Sequence, residues 1–429
     1  MSLPRFLGSG LDGFKIIDMK EVLSERRVEL HLKTRQDKPF ECARCGSMLG
    51  AHRGKHLLRL ETMPVMGYRC FLFLWRRKGE CSKCKKVRSE KIEFIAPETP
   101  HLTAEYSWWI GRFCEIAPVS RVAEIFEKDG YTTWRLDYAR MRRLLQTYKI
   151  PPVTKISVDE VYARKKSQYP RENRDKKFFT VITDLNTRRV VWVSEGRDKA
   201  ALDEFFKIIG PKASKNIRVV AMDQHEPYYA SVQENAPQAT VVWDQFHIMQ
   251  NFEKAVNEQR KTIHEKAYKG TELKRLTRGR YRYLFLKKAS RRTLEEKHHI
   301  DDVLKTNDQL AKLEIIKERM LTFFHQKNLS DAKKVFLDVG DWAMQAQLWD
   351  IVKWHDNLEL GWNTLKNYYK YRVTTAVSEG FNNVIKTLKK MAYGYRNMPY
   401  FKLKIMQKCG YLNSRFISLD NSITCTNSR

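Results

Sequence analysis

A β-rich meander that runs into alternating strands and helices limits the possible folds of this chain more than any other feature. Three short runs, Lys155 to Val158, Phe178 to Ile182 and Arg189 to Val193, are separated by polar, turn-rich pieces and predict a three-stranded meander. An apolar-periodic helix from about Lys199 to Ile209 follows, then IRVVAM running into Asp223, a helix beginning near Pro227, and TVVWD ending in Asp244. Strands that alternate with helices after a meander require a mixed α/β sheet whose later strands are parallel, because a crossover helix returns the chain in the same direction. The first run ends in Asp159, so carboxylates recur at strand ends. One such carboxylate is commonly a strand terminator or the cap of the next helix, and says little alone.

A third acid, Glu379, lies in TTAVSEGFNNVIKTLKKMAYGYRN. There Val377, Phe381, Val384, Leu388 and Met391 recur at helical spacing and are expected to face the core. Glu379, Asn383, Lys386 and Lys390 fall out of phase with that stripe and share the opposite face, which puts a carboxylate beside amide and ammonium groups suited to phosphates.

With these residues the chain resembles the DDE transposases that have a ribonuclease H-like core, and specifically the ISL-three family of bacterial insertion-sequence transposases. The resemblance rests on SVDE around Asp159, VVAMDQHEPYYASV around Asp223, DQFHIMQNFEKAVNEQR after it, and SEGFNNVIKTLKKMAYGYRNMPYFKLKI near the C-terminus; it extends over nearly the whole chain. It implies an α/β catalytic core with a large all-helical insertion, preceded by a zinc-binding module and a helix-turn-helix domain. The expected divisions are 1–98 for the zinc module, 99–150 for the helix-turn-helix, 151–250 for the first part of the core, 251–372 for the insertion and 373–429 for the last core helices and tail.

Three carboxylates gathered from two strands and a helix would bind hard divalent cations through oxygen, Mg²⁺ or Mn²⁺ rather than zinc. Two such ions about 4 Å apart suit in-line phosphoryl displacement, which serves both cleavage and strand transfer. Asp159, Asp223 and Glu379 are the expected ligands. Glu160 should face away from Asp159 on an extended strand. Asp244 and His247 form a D-x-x-H arrangement resembling one found after the second aspartate in other DDE superfamilies; a role beside the scissile phosphate competes with an ordinary hydrogen-bonded core histidine.

Partners follow from charge. The 80 Lys+Arg against 50 Asp+Glu give +30 and point to a polyanion. Nucleic acid is favoured over a membrane surface, since no apolar run is long enough to span a bilayer and no signal-peptide core is present. A soluble, cytoplasmic protein acting on double-stranded DNA, both terminal inverted repeats and target, is expected, and joining two ends implies at least a homodimer on DNA.

In the N-terminal part, ECARCG and GECSKCKK supply Cys42, Cys45, Cys81 and Cys84, two CxxC pairs with the signature of a structural four-thiolate zinc site. The residues between them read as a strand hairpin, with Cys70 in its core. From Leu102 to Tyr148 the pattern is helical, with Ser120 a candidate N-cap and Trp134, Tyr138, Met141, Leu145 and Tyr148 one apolar face. Arg135, Arg140, Arg142 and Arg143 lie off that face and either reach phosphate or base edges or form the solvated basic face of an ordinary three-helix linker; the family resemblance implies DNA binding. In the insertion, Arg260 to Lys297 holds 14 Lys+Arg and four Asp+Glu interleaved with Tyr268, Tyr281, Tyr283 and Phe285, a mixture suited to phosphates and unpaired bases or to a plain solvated helix. Two rival readings remain: a ribonuclease H-like nuclease, and a transposase-derived DNA-binding regulator that no longer cuts.

Overall fold

The computed structural model describes residues 11–163, 177–266, 279–373 and 376–413, with the side chains of 279–282 and 376 left out. It forms two compact units, residues 1–148 with 412–429, and residues 149–411.

The first unit is built on a five-stranded sheet of β1 (Phe14–Val22), β2 (Arg27–Thr34), β3 (Leu49–Val65), β4 (Tyr68–Cys81) and β5 (Lys86–Ser89). The expected hairpin is β3–β4, whose two-residue turn places Met66 (φ 50°) and Gly67 (φ 82°) in the left-handed region, as tight hairpins with right-handed twist require. Leu30, Leu32, Leu58, Leu60, Cys70, Leu72 and Leu74 alternate inward to make the core of this sheet.

Three helices follow, α1 (Ala104–Phe113), α2 (Val119–Ile125) and α3 (Gly130–Thr147). Two details correct the sequence reading. Helix α2 starts directly after Pro118, so Ser120 lies inside it and is not its cap. The buried stripe of α3 is Thr133, Leu136, Asp137, Arg140, Met141 and Leu144, rotated from the expected stripe, of which only Met141 is buried. Aromatic bulk misled the pattern: Trp134 and Tyr138 pack against each other along the side of the helix, at 5.4 Å between ring centroids.

The second unit holds a five-stranded sheet of β6 (Lys155–Tyr162), β7 (Phe178–Asp184), β8 (Arg189–Glu195), β9 (Val219–Met222) and β10 (Thr240–Trp243), in the order β10-β9-β6-β7-β8. Strands β6, β7 and β8 pair antiparallel as the expected meander, while β9 and β10 run parallel to β6. The crossovers are α4 (Lys199–Ser214), kinked at Gly210 and Pro211, and α5 (Glu226–Asn235). Strand β6 continues past the expected end at Val158, so Asp159 lies within it.

Helix α6 (Gln245–Lys266) leads into the insertion, whose described residues are helical throughout: α7 (Leu294–Thr306), α8 (Asp308–Leu321), α9 (Leu329–Gln345), α10 (Trp349–Glu359) and the short α11 (Trp362–Leu365) and α12 (Asn367–Tyr371) join a few 3₁₀ turns. Phe252, Phe323, Phe336 and Ile351 share a core here that reaches Val219 and Val242 of the sheet. Gly361 is a seam of that contact, for a Cβ there would sit 1.7 Å from the Trp243 ring, next to Asp244. Gly361→Ala is therefore expected to cost about 2–3 kcal/mol by overpacking, read as a lower urea midpoint at unchanged slope.

Of the basic stretch in the insertion, Tyr268 and the side chain of Tyr281 lie outside the described residues. Phe285 is buried and Tyr283 exposed. The last two helices are α13 (Ala376–Met391) and α14 (Met398–Cys409), which packs along β8. The C-terminal DNSITCTNSR lies outside the described residues.

Candidate active site and metal centre

The parallel register brings three aspartates to one level. Ser157 of β6 pairs with Ala221 of β9, and Met222 of β9 with Trp243 of β10. Followed along the strands, this pairing sets Asp159, within β6, level with Asp223 and Asp244, which lie just past the C-terminal ends of β9 and β10, where open α/β sheets place their ligands. The amide of Asp244 continues the ladder by donating to the Met222 carbonyl at 2.8 Å.

Helix α13 lies along β6. The Ser378 and Ser157 hydroxyls share a hydrogen bond of 2.5 Å, the Asn382 amide donates to Asp159 Oδ2 at 2.9 Å, and Lys389 donates to the Tyr162 carbonyl at 3.3 Å. Ser378, Asn382, Ile385 and Lys389 thus form the face toward the strand. This corrects the expectation for the apolar stripe: Val377, Phe381 and Leu388 are half-buried and Val384 and Met391 are exposed. Glu379, Asn383, Lys386 and Lys390 are exposed, on the flank next to Asn382. Glu379 is rotated by about 60° from Asn382 around the helix. Among the described residues, Asp159, Asp223 and Glu379 do not bring their carboxylates within 4.8 Å of one another as a set.

Five buried polar atoms without a hydrogen-bond partner lie around these aspartates: Asp223 Oδ1, Asp244 Oδ2, Glu160 Oε2, His225 Nδ1 and Asn382 Oδ1. Folded proteins rarely leave such atoms unpaired, and a cluster marks a place built for something else. The donors are mostly oxygens, which fits a hard divalent cation. His247 faces Asp244 across 3.9 Å. Glu160 accepts from Arg197 at 3.4 Å, a different partner from the Asn382 that meets Asp159, and the charges of Asp223 and His225 act on it.

Burial raises the Asp159 carboxyl to about 6, with the Asp223 and Asp244 charges adding to the rise against the pull of His247. Burial likewise raises Asp223 and Glu160. A folded pKa above the unfolded one gives stability that is full below about pH 4 and lost as pH rises through about 6. In divalent-free buffer, Asp159→Asn is therefore expected to melt higher than the natural protein at pH 7.5, by up to about 3 kcal/mol, and no higher at pH 4.5. Millimolar Mg²⁺ should raise the melting point of the natural protein most at the higher pH.

In the first unit, the four cysteines converge. Sγ separations are 4.0 Å for Cys42–Cys84, 3.4 Å for Cys45–Cys81 and 3.6 Å for Cys45–Cys84. A tetrahedron with Zn–S near 2.3 Å has edges of about 3.8 Å, so the set fits zinc. Each pair forms a knuckle: the amides of Arg44 and Cys84 donate to Cys42 and Cys81 sulfur, and Gly46 and Lys85 take positive φ just beyond.

The arginines of α3 differ from one another. Arg140 is buried against Glu115 and the Trp108 ring, which corrects its assignment to DNA. Arg135 donates to the Glu98 carbonyl, Arg143 pairs with the Glu98 carboxylate at 2.9 Å, and Arg142 is exposed beside Tyr138.

Comparison with known proteins agrees with the geometry. The family model of ISL3-type DDE transposases, described as "Transposase", matches residues 156–405, which spans the sheet, the insertion and both last helices. The chain belongs to the ISL-three family of DDE transposases. This transposase is 24% identical over 387 residues to the transposase for insertion sequence element IS1001 of Bordetella parapertussis, covering 89% of this chain and 91% of that one. It is 22% identical over 264 residues to the transposase for insertion sequence element IS1557 of Mycobacterium tuberculosis, 57% of each chain. The protein is thus a DNA transposase of an insertion sequence. No helix among its described residues is long and apolar enough to cross a membrane.

Asn382 escaped the sequence reading because it sits next to Asn383 in a run where either could face inward. The buried Ser378, four residues earlier, was the available signal.

Proposed function

We propose that this transposase cuts and joins DNA at the terminal inverted repeats of its element by direct phosphoryl transfer at Asp159, Asp223 and Glu379. The observation that carries the proposal is the row of level aspartates, two of which, Asp223 and Asp244, have unpaired buried oxygens. A first strand flanked on one side by the rest of an antiparallel meander and on the other by two parallel strands, with a late helix laid along it, supports a ribonuclease H-like core. Mg²⁺ or Mn²⁺ would be held by Asp159, Asp223 and Glu379, with Asp244 within the same edge, and would supply charge neutralisation and activation of the attacking oxygen. The chain's own groups do the rest. Asn382 holds Asp159 in place. His247 and Asp244 flank the site as accessory groups, and Asn383, Lys386 and Lys390 offer a polar and cationic helix flank to phosphates.

The zinc cluster is structural on this reading, since four thiolates leave no open position. Helices α1 to α3 serve as a helix-turn-helix, with Arg142 exposed on α3 and Arg135 and Arg143 along its side that meets Glu98. The active form is a dimer or larger assembly on DNA, in the cytoplasm.

A labelled duplex carrying the element's terminal repeats tests this. Nicking at the repeat boundary is expected with Mg²⁺ or Mn²⁺, and Glu379→Gln should lose it by about 10²-fold or more. Specific binding without cleavage by the natural protein in either metal would favour the regulator reading instead.

A further inference from the structure

One face of the N-terminal sheet carries the leucine core; the other carries rings and cations. Phe73 and Trp75 lie two residues apart on β4, with Arg59 and Leu57 opposite them on β3 and His31 opposite Phe73 on β2. Trp75 is 50% exposed and Leu57 53% exposed. Lys55 Nζ stands 4.9 Å from the Trp75 ring centre, Arg59 stands 4.1 Å from Phe71 and 6.0 Å from Phe73, and the His31 ring stacks on Phe73 at 5.2 Å and 17°.

We propose that this face is a stacking platform for unpaired bases of a DNA strand. An exposed tryptophan and leucine side by side waste apolar area in water unless something covers them. The neighbouring groups choose the occupant: Lys55 lies over the Trp75 ring and Arg59 over Phe71 and Phe73, in a chain of net charge +30, whereas protein-binding patches are poor in lysine. Residues two apart on a strand are about 7 Å apart, a spacing that lets successive bases of an extended strand meet successive rings. Aromatic rings on an open sheet face with cations close by are how single strands are held without sequence preference. The proposal goes beyond phosphoryl transfer: it rests on the protein acting on DNA and is independent of the carboxylate site.

Binding without cleavage tests it. Full-length, zinc-loaded protein in buffer free of Mg²⁺, Mn²⁺ and chelator is titrated with three labelled probes: a single strand, its blunt duplex, and the duplex with one splayed end. Trp75→Ala is expected to weaken the single-stranded and splayed probes by about tenfold or more and the blunt duplex by less than about twofold. Trp75→Phe should restore most of the loss. Trp75→Leu, which keeps bulk and removes the ring, should not, and it stands in if Trp75→Ala fails to retain zinc. Unchanged affinity for the single-stranded and splayed probes, or an equal loss on all three, would overturn the proposal.

Discussion

Asp159→Asn and Asp223→Asn are each expected to slow strand cleavage by about 10³-fold or more while leaving DNA affinity in divalent-free buffer within about twofold. The size follows from the place of these groups. Each supplies a charge at the strand edge where unpaired buried oxygens gather, and an oriented charge in a low-dielectric site acts far more strongly than the same charge in water. An amide keeps the shape and removes the charge, so binding of the duplex should persist while chemistry fails. Asp244→Asn tells apart two roles for the third aspartate of the row. If Asp244 only caps α6, where its Oδ1 accepts from the Phe246 amide at 3.3 Å, cleavage survives nearly intact. If its unpaired Oδ2 serves the site, cleavage drops by about 10–100-fold. Single-turnover rates with saturating Mn²⁺ measure all three, and an Asp223→Asn protein that still cuts at the natural rate would dismiss the site.

The second large effect is on folding. Removing zinc, or replacing Cys81 by serine, is expected to unfold the N-terminal sheet around the thiolate cluster. Structural zinc contributes about 10–16 kcal/mol in small four-ligand sites, more than the usual net stability of a domain. Cys81 is the centre of this arrangement: it is buried, it ends β4, its sulfur accepts from the Cys84 amide, and its carbonyl accepts from Lys85. Metal analysis should give one zinc per natural chain and none for Cys81→Ser. Limited proteolysis should then digest residues before about 148 while leaving the 149–411 unit resistant. A Cys81→Ser protein with a protease-resistant N-terminal unit would remove zinc from the structural account.

Much of this was legible in the sequence where the physics is local. Alternating strands with crossover helices leave few sheet topologies, so the meander and its parallel neighbours could be read directly. Cysteine spacing did the same for the thiolate cluster. Helix facing was harder. In α13, the stripe of Val377, Phe381, Val384, Leu388 and Met391 has the stronger apolar signal, yet the face that meets β6 is polar because it must reach Asp159 and Ser157. A helix that serves a site breaks the rule that its most apolar side is buried. In α3, Arg140 reads as a DNA contact by its charge. Its burial depends on Glu115 and on Gly111, where a Cβ would fall 2.7 Å from the arginine chain, and neither contact shows in a local pattern. The level of Asp244 with Asp159 and Asp223 depends on a register that sequence alone does not fix.

On the proposed site, the helical insertion also sets when the chain can become an enzyme. Asp159, Asp223 and Asp244 leave the ribosome first, and about 150 more residues must follow before the helix of Glu379 and Asn382 exists. At ordinary rates of synthesis that delay is roughly 10–30 s. Through it, the nascent chain has the three aspartates but neither the Asn382 amide that donates to Asp159 nor Glu379. A product that stops anywhere inside the insertion carries the N-terminal sheet and its four clustered cysteines but lacks the helix that the proposed cutting site needs.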